Sequence, residues 1–223
     1  MNDLPKEYQR IYKSMLKDYS DSRGPIRKLL SFFKKYFHWL VYKSYPNANS
    51  ILEIGAGNLN HVRFEKKFIS YDVIEPNEDR LNSAKNTLRN KISNSYKSID
   101  QIKGENIYDK IISIAVLEHI KDLDGFLKKT ANLLKPKGRF IVQIPAEGEF
   151  LYWLSWRLTT GIAFWLKYKL NYGVIIRYGH INKAKDIISL LNKNFQILKI
   201  YSFPFNLKSF RFYIQIEMEK LIK

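Results

Sequence analysis

Apolar and polar positions recur with two different periods along this chain, and the lengths of the apolar runs separate strands from helices. Ser50–Ile54 is a short apolar run ending in glycines, and Phe68–Ile74 is a second, ending at Glu75-Pro76. Glu78–Arg89 has the composition of a helix, Tyr96–Ile99 reads as a weak strand, and Tyr108–Ala115 (YDKIISIA) reads as a strong one. Lys121–Leu134 places Leu123, Phe126, Leu127, Thr130, Leu133 and Leu134 at helical spacing and is expected to stop at Lys135-Pro136-Lys137-Gly138. Arg139–Ile144 is the next strand. Continuous apolar strands separated by helices predict a parallel sheet covered on both faces.

The pattern changes near the C-terminus. Lys183–Asn192 reads as a helix and Phe195–Tyr201 as a strand. Ser209–Met218 then alternates, with Phe210, Phe212, Ile214, Ile216 and Met218 on one side and Arg211, Tyr213, Gln215 and Glu217 on the other. The short Phe203–Asn206 connection makes these two strands antiparallel neighbours, so a parallel sheet is closed by an antiparallel hairpin. At 223 residues a single domain is expected. It divides into an N-terminal helical arm (1–49), a core (50–146), an insertion (147–180), and a closing helix and hairpin (181–223).

Composition narrows the chemistry. With no cysteine, disulfides, thiolate metal sites and thiol nucleophiles are all excluded. No apolar run is long enough to span a bilayer and no signal peptide is evident, so a cytoplasmic protein is expected. The net charge of +17 favours phosphate-bearing partners, although part of the lysine excess reads as solvated surface. The insertion is dense in aromatics, among them Trp153, Trp156 and Trp165, punctuated by Arg157, Lys167, Lys169 and Arg177. It reads as a substrate lid suited to a small-molecule or glycan acceptor bearing a phosphate, as a surface for an anionic membrane, or as a satellite core. Pro25–Tyr42 is a basic, aromatic helix for which two positions are expected: over the cofactor, or on the inner face of a membrane.

The most specific chemistry lies in Ile51–Asn58 (ILEIGAGN). Glycines at the end of a strand let backbone approach a ligand closely. A dinucleotide loop needs a third glycine, and Leu59 or Asn60 stands there, which disfavours a pyrophosphate. Glu75, about 20 residues on, is placed to accept hydrogen bonds from a ribose, or alternatively to start the following helix.

ILEIGAG, YDVIEPN and the block from Tyr108 to Pro145 together resemble the class I S-adenosylmethionine-dependent methyltransferases, from about Ser50 to Pro145. The resemblance implies an α/β, Rossmann-like seven-stranded sheet with an antiparallel last strand. It also implies S-adenosylmethionine as cofactor and S-adenosylhomocysteine as product, with Glu53, Gly55, Ala56, Gly57, Asn58, Glu75, Pro76, Asp100, Ala115 and Val116 around it. The replaced third glycine implies a short or displaced first helix, and puts His61 near the site. Glu118 and His119, after the fourth strand, are the candidate catalytic residues, with His119 as general base; the alternative is a structural signature capping the next helix. Some relatives carry E-x-x-E-H and bind a divalent metal. Here the first position is Ala115, so no metal is expected; were one held, Glu118, His119 and His180 would be its ligands. IPAEGEF, the lid and RYGHIN resemble uncharacterised bacterial methyltransferases associated with surface polysaccharides. The expected reaction is O-methylation of a small-molecule or glycan acceptor. The alternatives are an RNA methyltransferase and a non-catalytic or peripheral membrane protein that keeps the fold.

Overall fold

The computed structural model describes residues 4–17, 25–77, 79–80, 91–207 and 209–221. Seven strands form one sheet: β1 (Ser50–Ile54), β2 (Ser70–Ile74), β3 (Asn94–Tyr96), β4 (Tyr108–Ile114), β5 (Leu134–Pro145), β6 (Phe195–Pro204) and β7 (Arg211–Lys220). Their order is β3-β2-β1-β4-β5-β7-β6. The first five pair in parallel, and β7 lies antiparallel between β5 and β6. This is the mixed sheet expected from the sequence. β1 and β2 begin the reversal of strand order with β4 on the other side, so the ends of β1, β2 and β4 converge on the crevice where α/β sheets bind ligands.

Strand periodicity sorts two apolar layers. Leu52, Ile54, Ile111, Phe140, Val142, Ile214 and Ile216 face one side, where α3 (Leu123–Leu133) and α7 (Ala184–Asn194) cover them through Leu127, Ile187 and Leu191. Ile51, Tyr71, Val73, Ile112 and Ile141 face the other, covered by Val41 and Tyr45 at the end of the arm. Asp122 caps α3, its side chain accepting from the Gly125 N–H.

Three expectations about strand and helix bounds need correction. The helix ending at Lys135-Pro136-Lys137-Gly138 gives way directly to strand: β5 starts at Leu134 and runs through that segment, with Lys137 left-handed (φ 63) and a register shift opposite Tyr108/Lys110. The weak strand at Tyr96–Ile99 ends at Tyr96, and Ile99–Gln101 is a 3₁₀ turn capped by Ser98. Both faces of β7 are buried from Ile214 to Met218, the polar one included. Gln215 bonds Gln143 and the Ser44 hydroxyl, and Glu217 pairs with Arg139, because the arm covers that face. The expected short helix after β1 is absent among the described residues, which form only turns between Gly57 and Phe64. The helix expected at Glu78–Arg89 lies, but for Asp79 and Arg80, outside the described residues.

The arm contains α1 (Lys6–Lys17) and α2 (Pro25–Ser44). α2 does not lie over the cofactor crevice. It packs on the opposite layer, stacking Phe37 on Tyr213 at 4.9 Å and accepting from the Gln143 side chain at the Phe37 carbonyl. Beneath it lies a buried polar chain. Lys110 Nζ and His61 Nε2 both donate to Glu65 Oε1 at 2.6 and 2.8 Å, and the His38 and His61 Nδ1 atoms meet at 3.2 Å. Since His61 carries its proton on Nε2, His38 donates in that last bond. His61 is therefore an anchor for α2 and lies away from the crevice.

The insertion folds as α4 (Phe150–Trp156), a π-helical turn (Arg157–Gly161), α5 (Ile162–Tyr168) and α6 (Tyr172–Gly179). Its inner side packs Phe164 and Ile175 on Leu4 and Tyr8 of the N-terminal arm.

Candidate active site

β1 delivers Gly55 and Gly57 to the crevice with left-handed backbone (φ 69 and 51). A Cβ on Gly55 would sit 2.3 Å from Val116 Cγ2, so only glycine fits where the β1 and β4 loops meet. Leu59, at the position of the missing third glycine, is also left-handed (φ 55) and is fully buried. Glu75 accepts from the Gly57 N–H at 2.7 Å through one oxygen and from the Asn77 N–H at 3.0 Å through the other. Its carboxylate thus ties the tips of β1 and β2 together. Glu53 points to the arm-covered layer, where it accepts from the Tyr71 hydroxyl at 2.7 Å. Burial pushes its carboxyl up to about 8, against the Tyr71 bond and helped by Glu65 and Glu75.

A cavity of about 370 Å³ opens at these tips. Among its walls are Gly55, Pro76, Ile99, Asp100, Val116 and Phe126. Of the ten expected cofactor residues, four (Gly55, Pro76, Asp100 and Val116) line it. Glu53, Ala56, Gly57, Asn58, Glu75 and Ala115 are outside that lining. Asp100 is exposed and ion-paired with Lys129, which lies on the same wall.

After β4, Ala115 is left-handed (φ 53), and a 3₁₀ turn, Leu117–His119, follows it. Asn182 bonds the Leu117 and Ile120 carbonyls, and the Ile181 and Asn182 N–H groups donate to the Glu118 carbonyl. These bonds clamp the turn to the end of the insertion. They bring His180 beside His119, with ring centroids 5.0 Å apart and the planes edge to face. His119 Nδ1 donates to the Gly179 carbonyl at 2.6 Å, and His180 Nδ1 donates to Glu147 at 2.9 Å.

The two imidazoles are driven apart electrostatically. Burial, with His180 nearby, lowers His119 below its ordinary value even though Gly179 opposes it. Burial also pulls on His180, but the Glu147 bond and charge, with Glu118, win and raise it. Burial pushes Glu118 up to about 7, and its Oε2 has no hydrogen-bond partner among the described residues. The two imidazoles are thus shifted in opposite directions, the kind of separation that divides base from acid in one site.

Glu118, His119 and His180 each offer a ligand atom, and those atoms lie within 4.8 Å of one another. Both histidines engage Nδ1 elsewhere, leaving Nε2 for a ligand; fixing the ring through its second nitrogen is how proteins orient metal-binding histidines. The residues present thus fit a divalent cation despite Ala115.

Sequence reasoning missed Glu147, Gly179 and Tyr12. A Cβ on Gly179 would lie 3.8 Å from the Tyr12 hydroxyl and 3.9 Å from His119, so α1 reaches the cluster. Tyr8, Ile11 and Tyr12 form a stripe on α1 that was readable, but its partner, the insertion, was not.

Seven strands in this order, a glycine loop after β1 and an acid after β2 define a class I methyltransferase. The chain matches the methyltransferase domain family over residues 9–191, and it belongs to that family. It is similar to the ubiquinone biosynthesis O-methyltransferase of Pelagibacter ubique (strain HTCC1062), with 24% identity over 155 residues. That match covers 62% of this chain and 64% of the relative, so under two thirds of the relative's length. The fold resembles that of the N-methyltransferase NodS from Bradyrhizobium japonicum WM9, solved with S-adenosyl-L-homocysteine: TM-score 0.65, 14% identity, covering 95% of this chain and 98% of that one. It also resembles an S-adenosylmethionine-dependent methyltransferase from Mesorhizobium loti: TM-score 0.59, 14% identity, covering 81% and 96%.

Proposed function

We propose that the chain transfers the methyl group of S-adenosylmethionine to a hydroxyl of a small-molecule or glycan acceptor. In this reading the cofactor's adenosine enters the cavity between Pro76, Ile99 and Val116, and its ribose hydroxyls take over the Glu75 carboxylate. The sulfonium then points past Gly55 toward the Leu117–His119 turn. Methyl transfer is an in-line displacement, so the chain's tasks are to align acceptor and sulfonium and to take the acceptor's proton.

The observation that carries the oxygen acceptor is the tautomer of His119. Its Nδ1 proton is committed to the Gly179 carbonyl, which leaves Nε2 as the basic nitrogen of a ring that burial and His180 shift toward the neutral form. The O-methyltransferase relative supports the same atom choice. The test is transfer of labelled methyl from S-adenosylmethionine to a panel of hydroxylated small molecules and glycans. His119→Asn should lower turnover roughly 10²–10⁴-fold with cofactor affinity unchanged. An H119N variant that turns over at the wild-type rate would remove His119 as the base.

The grouping of Glu118, whose Oε2 has no hydrogen-bond partner among the described residues, with His119 and His180 favours a second reading, in which a divalent cation occupies the cluster. Such an ion would supply Lewis-acid stabilisation of an acceptor alkoxide. Calorimetric titration with Mg²⁺ or Zn²⁺ alone decides it, with binding lost in Glu118→Gln.

A further inference from the structure

We propose that the outward face of α4 and α5, together with the β6–β7 turn, is a docking surface for an anionic lipid bilayer. The insertion has two apolar sides. Its inner side is already satisfied by the arm, through Phe164 and Ile175 on Leu4 and Tyr8. Its outer side is apolar too: Leu158 and Leu166 are each 60% exposed, Trp165 53% and Ile162 47%. These four positions follow helical spacing, so they form one stripe, on a helical run about 28 Å long. The β6–β7 turn extends the patch with exposed Phe205, Leu207 and Phe210. It is joined to the start of α4 by the Leu151 N–H donating to the Ser209 carbonyl and by the Arg211–Glu149 pair. Scattered exposed apolar side chains are ordinary; a continuous outward stripe on a helix whose inner side is packed is not.

Charge identifies the occupant. Positions 150–185 contain six Lys or Arg and no Asp or Glu, on a chain of net charge +17. The cations sit over the patch's own rings, Arg157 at 4.3 Å from the Trp153 centroid and Lys169 at 4.4 Å from Trp165. Amphipathic rings with cations alongside them suit the boundary between headgroups and acyl chains, with the cations reaching phosphates. No described helix is long and apolar enough to cross a membrane, so the run would lie in the plane of the interface. A nucleic acid would use the same cations, but it gives Leu158, Ile162, Leu166 and Leu207 nothing apolar to enter.

The test is flotation of the full chain with vesicles of mixed phosphatidylglycerol and phosphatidylcholine, and with phosphatidylcholine vesicles. We expect flotation with the mixed vesicles, weakened by added salt. The double variant Leu158→Glu/Leu166→Glu should reduce it at least about tenfold. Both side chains face solvent, so its melting temperature should match the wild type and show that the loss is not unfolding. The proposal is overturned if the wild type does not float, or if the double variant floats equally well. It is also overturned if the face proves to join two copies, shown by a wild-type dimer that the variant dissociates. Tight wild-type binding to an RNA oligonucleotide, lost in the variant while flotation is unchanged, would overturn it as well.

Discussion

Three residues at the tips of the strands bear on cofactor binding in the proposed complex, for different physical reasons. Glu75 holds the Gly57 and Asn77 amides, and in the proposed complex it would exchange them for ribose hydroxyls. Hydrogen bonds to a charged group contribute roughly 1.5–3 kcal/mol each, so Glu75→Ala should weaken S-adenosylhomocysteine binding at least about tenfold by calorimetry. An unchanged affinity would leave Glu75 as a loop tie only. The glycines separate strain from collision. Gly57 has open space where a Cβ would go, so Gly57→Ala incurs only the left-handed backbone, about 1–2 kcal/mol. Gly55→Ala meets Val116 Cγ2 as well, so in urea unfolding it should be the more destabilising of the two. Adding Val116→Ala should return part of that loss, leaving the backbone share. If V116A returns nothing, the collision is not what limits the site.

The β1–β2 connection is where sequence and structure part most clearly, because a missing third glycine did not announce what replaces it. Leu59 keeps the left-handed backbone that glycine would adopt and buries its side chain among Ala56, Val62 and Tyr71. Two effects then oppose each other in Leu59→Gly. Relief of the backbone is worth about 1–2 kcal/mol, and losing a buried leucine side chain costs about 2–5 kcal/mol. The second is larger, so L59G should lower stability in urea unfolding; a stabilised variant would show that the buried side chain packs poorly. The strands, the hairpin and Gly55–Glu75 were legible because strand period, glycines and an acid at a strand tip are local signals. The place of α2 was not. Its aromatic face suits a cofactor, a membrane or a core equally, and what selected the core was polar: His38, Ser44 and the Phe37 carbonyl meet His61, Gln215 and Gln143, partners far away in the chain. His180 was legible as a possible ligand beside Glu118 and His119, but the Asn182 clamp that sets it against His119 was not.

Stability of the whole molecule should pass through a maximum in mildly acidic solution, because its buried groups titrate in opposite senses. Glu53 rises from an ordinary carboxyl value to about 8 and Glu118 to about 7, both mainly through burial. For such groups the folded chain binds more protons than the unfolded one between about pH 4.5 and 8. Their contribution is therefore complete below that window and is lost as pH rises through it. His38 behaves oppositely. Burial, then His61 and Lys34, lower it to about 3, and burial lowers His61 too, against Glu65. Lys110 faces the same chain from β4. Here the unfolded chain binds more protons, so stability falls as pH drops below about 6.5 toward 3. A proton added to His61 would go to its Nδ1 and set two N–H groups face to face at the His38–His61 contact, loosening α2. Among these groups, the carboxyls oppose folding above pH 6.5 and the histidines below 4.5, which puts their combined maximum between those values. Urea unfolding from pH 4 to 8.5 measures it. Glu53→Gln keeps an acceptor for the Tyr71 hydroxyl but cannot ionise, and it should flatten the fall between pH 6.5 and 8 while leaving the acid limb intact. A variant whose alkaline limb matches the wild type would mean that Glu53 is already ionised in the folded chain, with the Tyr71 bond outweighing its burial.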